Sequence, residues 1–264
     1  MRPALVAIAH GTRNPAGPTL VEAVVARVRK RVPDVPVRVG YVELNTPVLP
    51  DVVAALDGPA VVVPLLLSTG HHVRHDLPEG AGQHPVAGTL GPDPLLAGVL
   101  QLRLLAANAR PGQAVVLLAA GSSDPRALDD TQAAARLLEE RWGGPVRAAH
   151  LSGRGPDLAT VVARLRAEGH PSPAVACYLL APGCFHGRAR AQARELGLTA
   201  VTDVLGDHPY LAELVVRRYR ETLARTPSSI PTIVADTRSS RSRGSMCPAP
   251  GATVSSAPGI AAAS

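Results

Sequence analysis

The sequence predicts an α/β protein built as two tandem, doubly wound parallel-sheet domains related by internal duplication. Two observations carry that prediction. Short β-branched runs alternate with longer segments of helical period, the pattern of βαβ units around a parallel sheet. The chain also repeats itself. AHGTRNP (Ala9 to Pro15) returns as AAGSSDP (Ala119 to Pro125), VRVGYVELNTPVLPDVV (Val37 to Val53) as VRAAHLSGRGPDLATVV (Val146 to Val162), and VVVPLLLSTGHH (Val61 to His72) as AVACYLLAPGCF (Ala174 to Phe185).

In the first half, strands are expected near 3–9, 36–42, 60–67 and 85–90, and helices near 18–32, 47–57 and 93–108. The second half repeats the order, with strands near 113–119, 146–151, 174–181 and 199–203 and helices near 126–142, 156–168, 186–196 and 208–225. Helix starts carry suitable punctuation: Pro18 and Thr19, Thr46 and Pro47, then Asp124 and Pro125. The expected organisation is an N-terminal domain over 1–110 that carries the site, a C-terminal repeat over 111–225 without the ligand set, and a tail over 226–264. That tail is rich in Ser, Pro, Ala and Gly and is expected to be disordered.

Composition narrows the function classes. With 264 residues, 46% of them hydrophobic and 18% charged, the chain can bury one large core or two small ones. Aromatic residues make up 2%, too few for a stacking platform, and the basic residues are scattered rather than gathered in a stripe, so nucleic acid is not expected as a partner. The net charge of +6 favours an anionic small molecule. Cys177, Cys184 and Cys247 show neither a CxxC spacing nor an even-numbered framework, which points to a reducing cytoplasm. The apolar run Ala4 to Ala9 is too short for an export signal, and no stretch approaches the ~20 apolar residues of a membrane span.

His10 follows the first expected strand, Glu43 ends the second and His72 follows the third, so all three lie at the carboxyl edge of one parallel sheet. That edge is where open α/β sheets bind ligands. Two imidazoles and a carboxylate there suit a divalent first-row metal with coordination positions left open. Taken singly, each residue has a plainer reading: His10 as a turn residue, Glu43 as a solvated carboxylate, and His71, His72 and His75 as a polar loop. The second half raises the joint reading, because Ala120, Ser152 and Phe185 stand at the matching positions. Scaffold requirements act on both copies, whereas a site is needed once.

The segments AIAHGTRNPAG, YVELNTPVLPDVV and PLLLSTGHHVRHDLP resemble the three signature segments of the sirohydrochlorin chelatases, the CbiX and SirB group of class II chelatases. The resemblance covers roughly residues 3 to 225 and fits the long, two-halved form of that family. It implies a chelatase-like, flavodoxin-like topology and ATP-independent insertion of Fe²⁺ or Co²⁺ into sirohydrochlorin, in sirohaem or cobalamin biosynthesis. The metal is then a substrate, and no tightly bound cofactor is expected. Residue by residue, the family's two histidines fall on His10 and His72 and its acidic partner on Glu43. In the second half the GCFH segment places His186 one position beyond the expected histidine, which speaks against a second site.

Metallation removes two pyrrole N–H protons as the ion arrives, and neutral imidazole can serve as base or as ligand. His10 and His72 are therefore the expected metal contacts and proton acceptors, with Glu43 as third ligand or as the carboxylate that orients an imidazole. Sirohydrochlorin carries carboxylates around its rim, so Arg13, Arg74 and His75 are expected near them, with Thr12, Ser68 and Thr69 as donors and Gly11 and Gly70 allowing close approach. Arg188 and Arg190 read more simply as solvated charges, and Cys184 as a small buried filler. Two competing classes remain: a metal or tetrapyrrole carrier, and a histidine phosphatase, against which Ala9 stands where such enzymes carry the arginine of an RHG motif. In the fused chain the second half is expected to act as the first half's partner, giving a monomer with an internal pseudo-twofold.

Overall fold

The strands of the protein are mostly buried and apolar, as strands covered on both faces tend to be, with Arg38 and Arg147 the exposed exceptions. The computed structural model describes residues 2–226, the side chains of His71 and His72 excepted; the expected disordered tail beyond Thr226 lies outside the described residues. The first half runs β1 (Ala4–Ala9), α1 (Ala16–Arg31), β2 (Val37–Tyr41), α2 (Leu49–Ala54), β3 (Ala60–Pro64), α3 (His71–Arg74), α4 (Asp76–Ala81) and α5 (Pro94–Ala106). The second runs β4 (Val115–Ala119), α6 (Pro125–Trp142), β5 (Val146–His150), α7 (Leu158–Ala167), β6 (Ala174–Tyr178), α8 (Cys184–Glu195) and α9 (Pro209–Arg225). The strands form two parallel sheets, β2-β1-β3 and β5-β4-β6. Their registers match, with Ala9 beside Tyr41 in one and Ala119 beside His150 in the other.

Alternation along the strands divides the interior into three cores. Leu5, Ala7 and Ala9 of β1 and Val115, Leu117 and Ala119 of β4 face one shared central core. Val6 and Ile8 face an outer core under α2 and α4, while Val116 and Leu118 face another under α7 and α8. Two helices are exchanged across the centre. α9, from the second half, packs with α1 against β3, whereas α5, from the first half, packs with α6 against β6. Each sheet thus takes half of its inner cover from the other repeat. At the exchange, the buried carboxylate of Asp93 accepts the Leu95 N–H at the start of α5 and pairs with Arg217 and Arg218 of α9.

Expectation and structure differ at the sheet edges. The strands expected at 85–90 and 199–203 contribute single bridges, Val86 to Val62 and Val201 to Val175. In the second half the reason is visible: the Thr202 hydroxyl accepts the Cys177 N–H at 2.8 Å, so a side chain takes the place of the next ladder carbonyl. α1 begins at Ala16 rather than at Pro18, because the Asn14 side chain accepts the Ala16 N–H at 3.0 Å. The segment between β3 and residue 85 folds into two short helices, α3 and α4, that the sequence reading left as loop.

Candidate functional site

β1 is the central strand of its sheet, so the loop leaving its carboxyl end sits at the topological switch point. His10 is the first residue of that loop. Gly11 follows with φ +102°, and a Cβ there would lie 1.8 Å from the Glu43 carbonyl oxygen; only glycine lets the chain after β2 press so closely against the chain after β1. The Glu43 N–H donates to the His10 carbonyl at 3.1 Å, and the Asn45 side chain accepts the Thr12 N–H at 2.7 Å. These backbone ties set the Glu43 carboxylate 3.7 Å from His10 Nδ1, a contact longer than a hydrogen bond, with both side chains about half exposed.

The second half copies the scaffold without the chemistry. A Cβ at Gly121 would lie 1.8 Å from the Ser152 carbonyl oxygen, and Ser122 accepts the Asp124 N–H as Thr12 accepts that of Asn14. The backbone is the same, and the titratable groups are absent.

The two switch points face one another across a cleft of about 750 Å³, walled by the loops after β1 and β3 on one side and after β4 and β6 on the other. Small residues bring the halves together: a Cβ at Gly183 would lie 3.2 Å from the Thr12 hydroxyl, and one at Gly70 3.5 Å from that of Ser122. The Thr69 N–H donates to Asp130 of α6 at 2.6 Å, the buried Tyr178 hydroxyl to the Leu67 carbonyl at 3.2 Å, and Arg74 pairs with Asp124 at 3.4 Å. The Arg126 N–H, aided by Arg74, holds the Asp124 carboxyl below its ordinary range. Burial pushes the Tyr178 phenol well above its own.

Of the residues expected from sequence, His10, Thr12, Arg13, Ser68 and Gly70 border the cleft, and Glu43 stands beside His10. Thr69, Arg74 and His75 fall outside its walls, the first two engaged with α6 and its N-cap. His72 lies in the first turn of α3, on the carboxyl side of β3. Among the described residues no group of three His, Cys, Asp or Glu side chains is arranged to hold a metal ion. Arg188, read from sequence as a solvated charge, donates to the Leu151 carbonyl at 2.7 Å. Cys184 is exposed at the start of α8 rather than buried as expected; Cys177 is the buried cysteine, its thiol pushed up to about 11 by burial. The cleft also takes in residues the sequence reading did not place in the site, Leu44, Tyr178, Phe185 and His186 among them. The His186 ring, 3.6 Å from Asp203, was the one with a signal, as a histidine one position off the repeat.

Fold and site together define a duplicated α/β protein in which one sheet edge carries a His–Glu pair beside a cleft shared by the two halves. The CbiX family model matches residues 4–107 and again 114–222, and the chain belongs to the CbiX family. It is 26% identical over 242 residues to a sirohydrochlorin ferrochelatase of Priestia megaterium, covering 84% of this chain and 91% of the relative. A sirohydrochlorin cobaltochelatase of Methanococcoides burtonii is 33% identical over 79 residues, 28% of this chain and 60% of that protein. Among solved structures, SirB from Bacillus subtilis with Fe³⁺ superposes with a TM-score of 0.72 at 24% identity, over 85% of this chain and 96% of that one. No helix among the described residues is long and apolar enough to cross a membrane.

Proposed function

We propose that the chain is a sirohydrochlorin chelatase, inserting a divalent metal, Fe²⁺ or Co²⁺, into sirohydrochlorin without ATP. The observation that carries this reading is the His10–Glu43 pair, His10 bordering the cleft with Glu43 beside it, in a family member whose other half keeps the scaffold and lacks the pair. The reaction exchanges two pyrrole N–H protons for one M²⁺, so two protons must leave as the ion enters the ring. The neutral His10 imidazole accepts a proton or holds the incoming ion, and the Glu43 carboxylate orients the ring and offsets its charge once protonated. His72, at the start of α3, is the second metal contact in this reading. Nitrogen and oxygen ligands bind a first-row ion less tenaciously than thiolates, which suits a metal that must be surrendered. Arg13, Thr12, Ser68 and Gly70 line the approach for the rim carboxylates of the macrocycle, and Thr69 and Arg74 tie the segment after β3 to α6 and its N-cap.

A carrier remains the second reading, because the same ligands can hold an ion without delivering it. Anaerobic insertion followed in the visible spectrum, with Fe²⁺ and Co²⁺ in parallel, separates the two. Catalytic turnover, lost in His10→Ala and His72→Ala, is the expected result; stoichiometric uptake of ring or metal without turnover would leave a carrier. The same rates rank the two metals.

We place the protein in the cytosol as a monomer of two α/β domains that meet near residues 110–111. The free thiols of Cys177 and Cys184 and the exchange of α5 and α9, which covers each sheet internally, support that placement. Light scattering that returned a dimer mass would overturn the monomer.

A further inference from the structure

The turn that fixes Glu43 contains a residue its geometry does not call for. Leu44 has φ +64°, and the Asn45 N–H closes a three-residue turn around it onto the Glu43 carbonyl at 2.8 Å. Left-handed backbone is unfavourable for a branched side chain and natural for glycine. The repeat makes the point directly, since Gly153 takes the corresponding place with φ +74°. Asn108 is the other non-glycine residue with positive φ among those described, and asparagine tolerates it. The ties that place Glu43 run through the backbone of residues 43 and 45 and the Asn45 side chain, so glycine at 44 would serve them as well. Strain of this kind persists where it serves a ligand clamp or an active site.

The Leu44 side chain is 51% exposed and borders the cleft. The second half brings to the same cleft Phe185, the one phenylalanine of the chain, 39% exposed, with the Arg188 guanidinium 5.8 Å from its ring centroid. Phe185 occupies the repeat position of His72. The first half thus carries a histidine at the position where the second carries an aromatic ring, and each half brings a large, partly exposed apolar group to the cleft.

We propose that Leu44 and Phe185 are positioning residues that clamp the flat apolar face of the macrocycle and hold its pyrrole nitrogens toward His10 and Glu43. The clamp rests on the chelatase reading and deepens it. A tetrapyrrole offers a broad apolar face inside its charged rim, and an exposed leucine and an aromatic ring give such a face contact area with little rotamer freedom to lose.

The test uses the full chain, metal-free sirohydrochlorin and three variants, Leu44→Gly, Phe185→Ala and Phe185→Leu, read by ring binding, by KM and kcat for metal insertion, and by thermal melting. Leu44→Gly and Phe185→Ala should each weaken ring binding and raise KM about tenfold, the loss of roughly half a buried apolar side chain, while kcat changes little. Phe185→Leu should recover most of the binding. Leu44→Gly should melt no lower than wild type, because it trades strain for a residue at ease there. Wild-type ring affinity in Leu44→Gly and Phe185→Ala would overturn the clamp, and a lowered melting point in Leu44→Gly would overturn the strain argument behind it. Should the wild-type chain neither bind nor metallate sirohydrochlorin, the chelatase reading falls and takes the clamp with it; if wild type does both, only the clamp is at stake.

Discussion

The two halves of this protein share a backbone and divide the labour. After β1 and after β4 the chain makes the same glycine turn against the same neighbouring carbonyl, and in each a hydroxyl, of Thr12 or Ser122, accepts the N–H two residues on. Yet one turn carries His10 and Glu43, and the other carries Ala120 and Ser152. A duplicated scaffold helps to separate what folding needs from what chemistry needs: the glycine turn occurs in both halves, whereas the His10–Glu43 pair occurs in one. What occurs once is left for function.

The strongest way to break that comparison is at the pair itself. His10→Ala should lower metal insertion by about 10²- to 10⁴-fold with the melting temperature unchanged, whereas Ala120→Val on the opposite turn should leave the rate within about twofold; equal losses would mean the halves are not divided as argued. The next test addresses stability, where the halves should be alike. Leu5→Ala and Leu117→Ala remove fully buried side chains from the same central core, and each should cost about 2–5 kcal/mol. Urea unfolding should show one transition for both variants, and two separated transitions would contradict a shared core.

A smaller effect tests the ties between halves. Asp130→Ala removes the acceptor of the Thr69 N–H and should cost about 1 kcal/mol, measured by denaturant midpoint, with KM for the macrocycle raised because the loop after β3 loses its anchor. The last prediction concerns Tyr41 and its counterpart His150. Burial holds the His150 imidazole below its ordinary value, against a weaker upward pull from the Pro156 carbonyl. The unfolded chain therefore takes up the proton first. His150's contribution is intact above about pH 6.5 and is lost as pH falls from there toward the lower folded value. His150→Tyr, borrowing the first half's residue, should flatten that part of the stability–pH curve; an unchanged slope would assign the acid sensitivity elsewhere, with His208, also lowered by burial, the next group to examine.

Much of this was legible in the sequence, and the repeat is why. Comparing the chain with itself locates β1, β2 and β3 to within a few residues and singles out His10, Glu43 and His72. The misses have physical causes. Strands near 85–90 and 199–203 read correctly as β-branched, but ladders end when a hydroxyl such as that of Thr202 takes a backbone donor, and no periodicity reports that. Leu44 was passed over because nothing in its identity announces a left-handed backbone; the clue was Gly153 at the repeat position. The exchange of α5 and α9 is invisible to patterning, since a helix's apolar stripe does not say whose sheet it will cover.

That exchange has a consequence for how the protein is made. Until the ribosome has added α9, the last described helix, the inner face of β3 lacks its cover, and α5 has no β6 to lie on. The nascent first half is therefore an incomplete object with two sticky surfaces, and another nascent first half is the molecule best shaped to satisfy them. Joining the repeats in one polypeptide raises the local concentration of the correct partner above that of any competitor in trans.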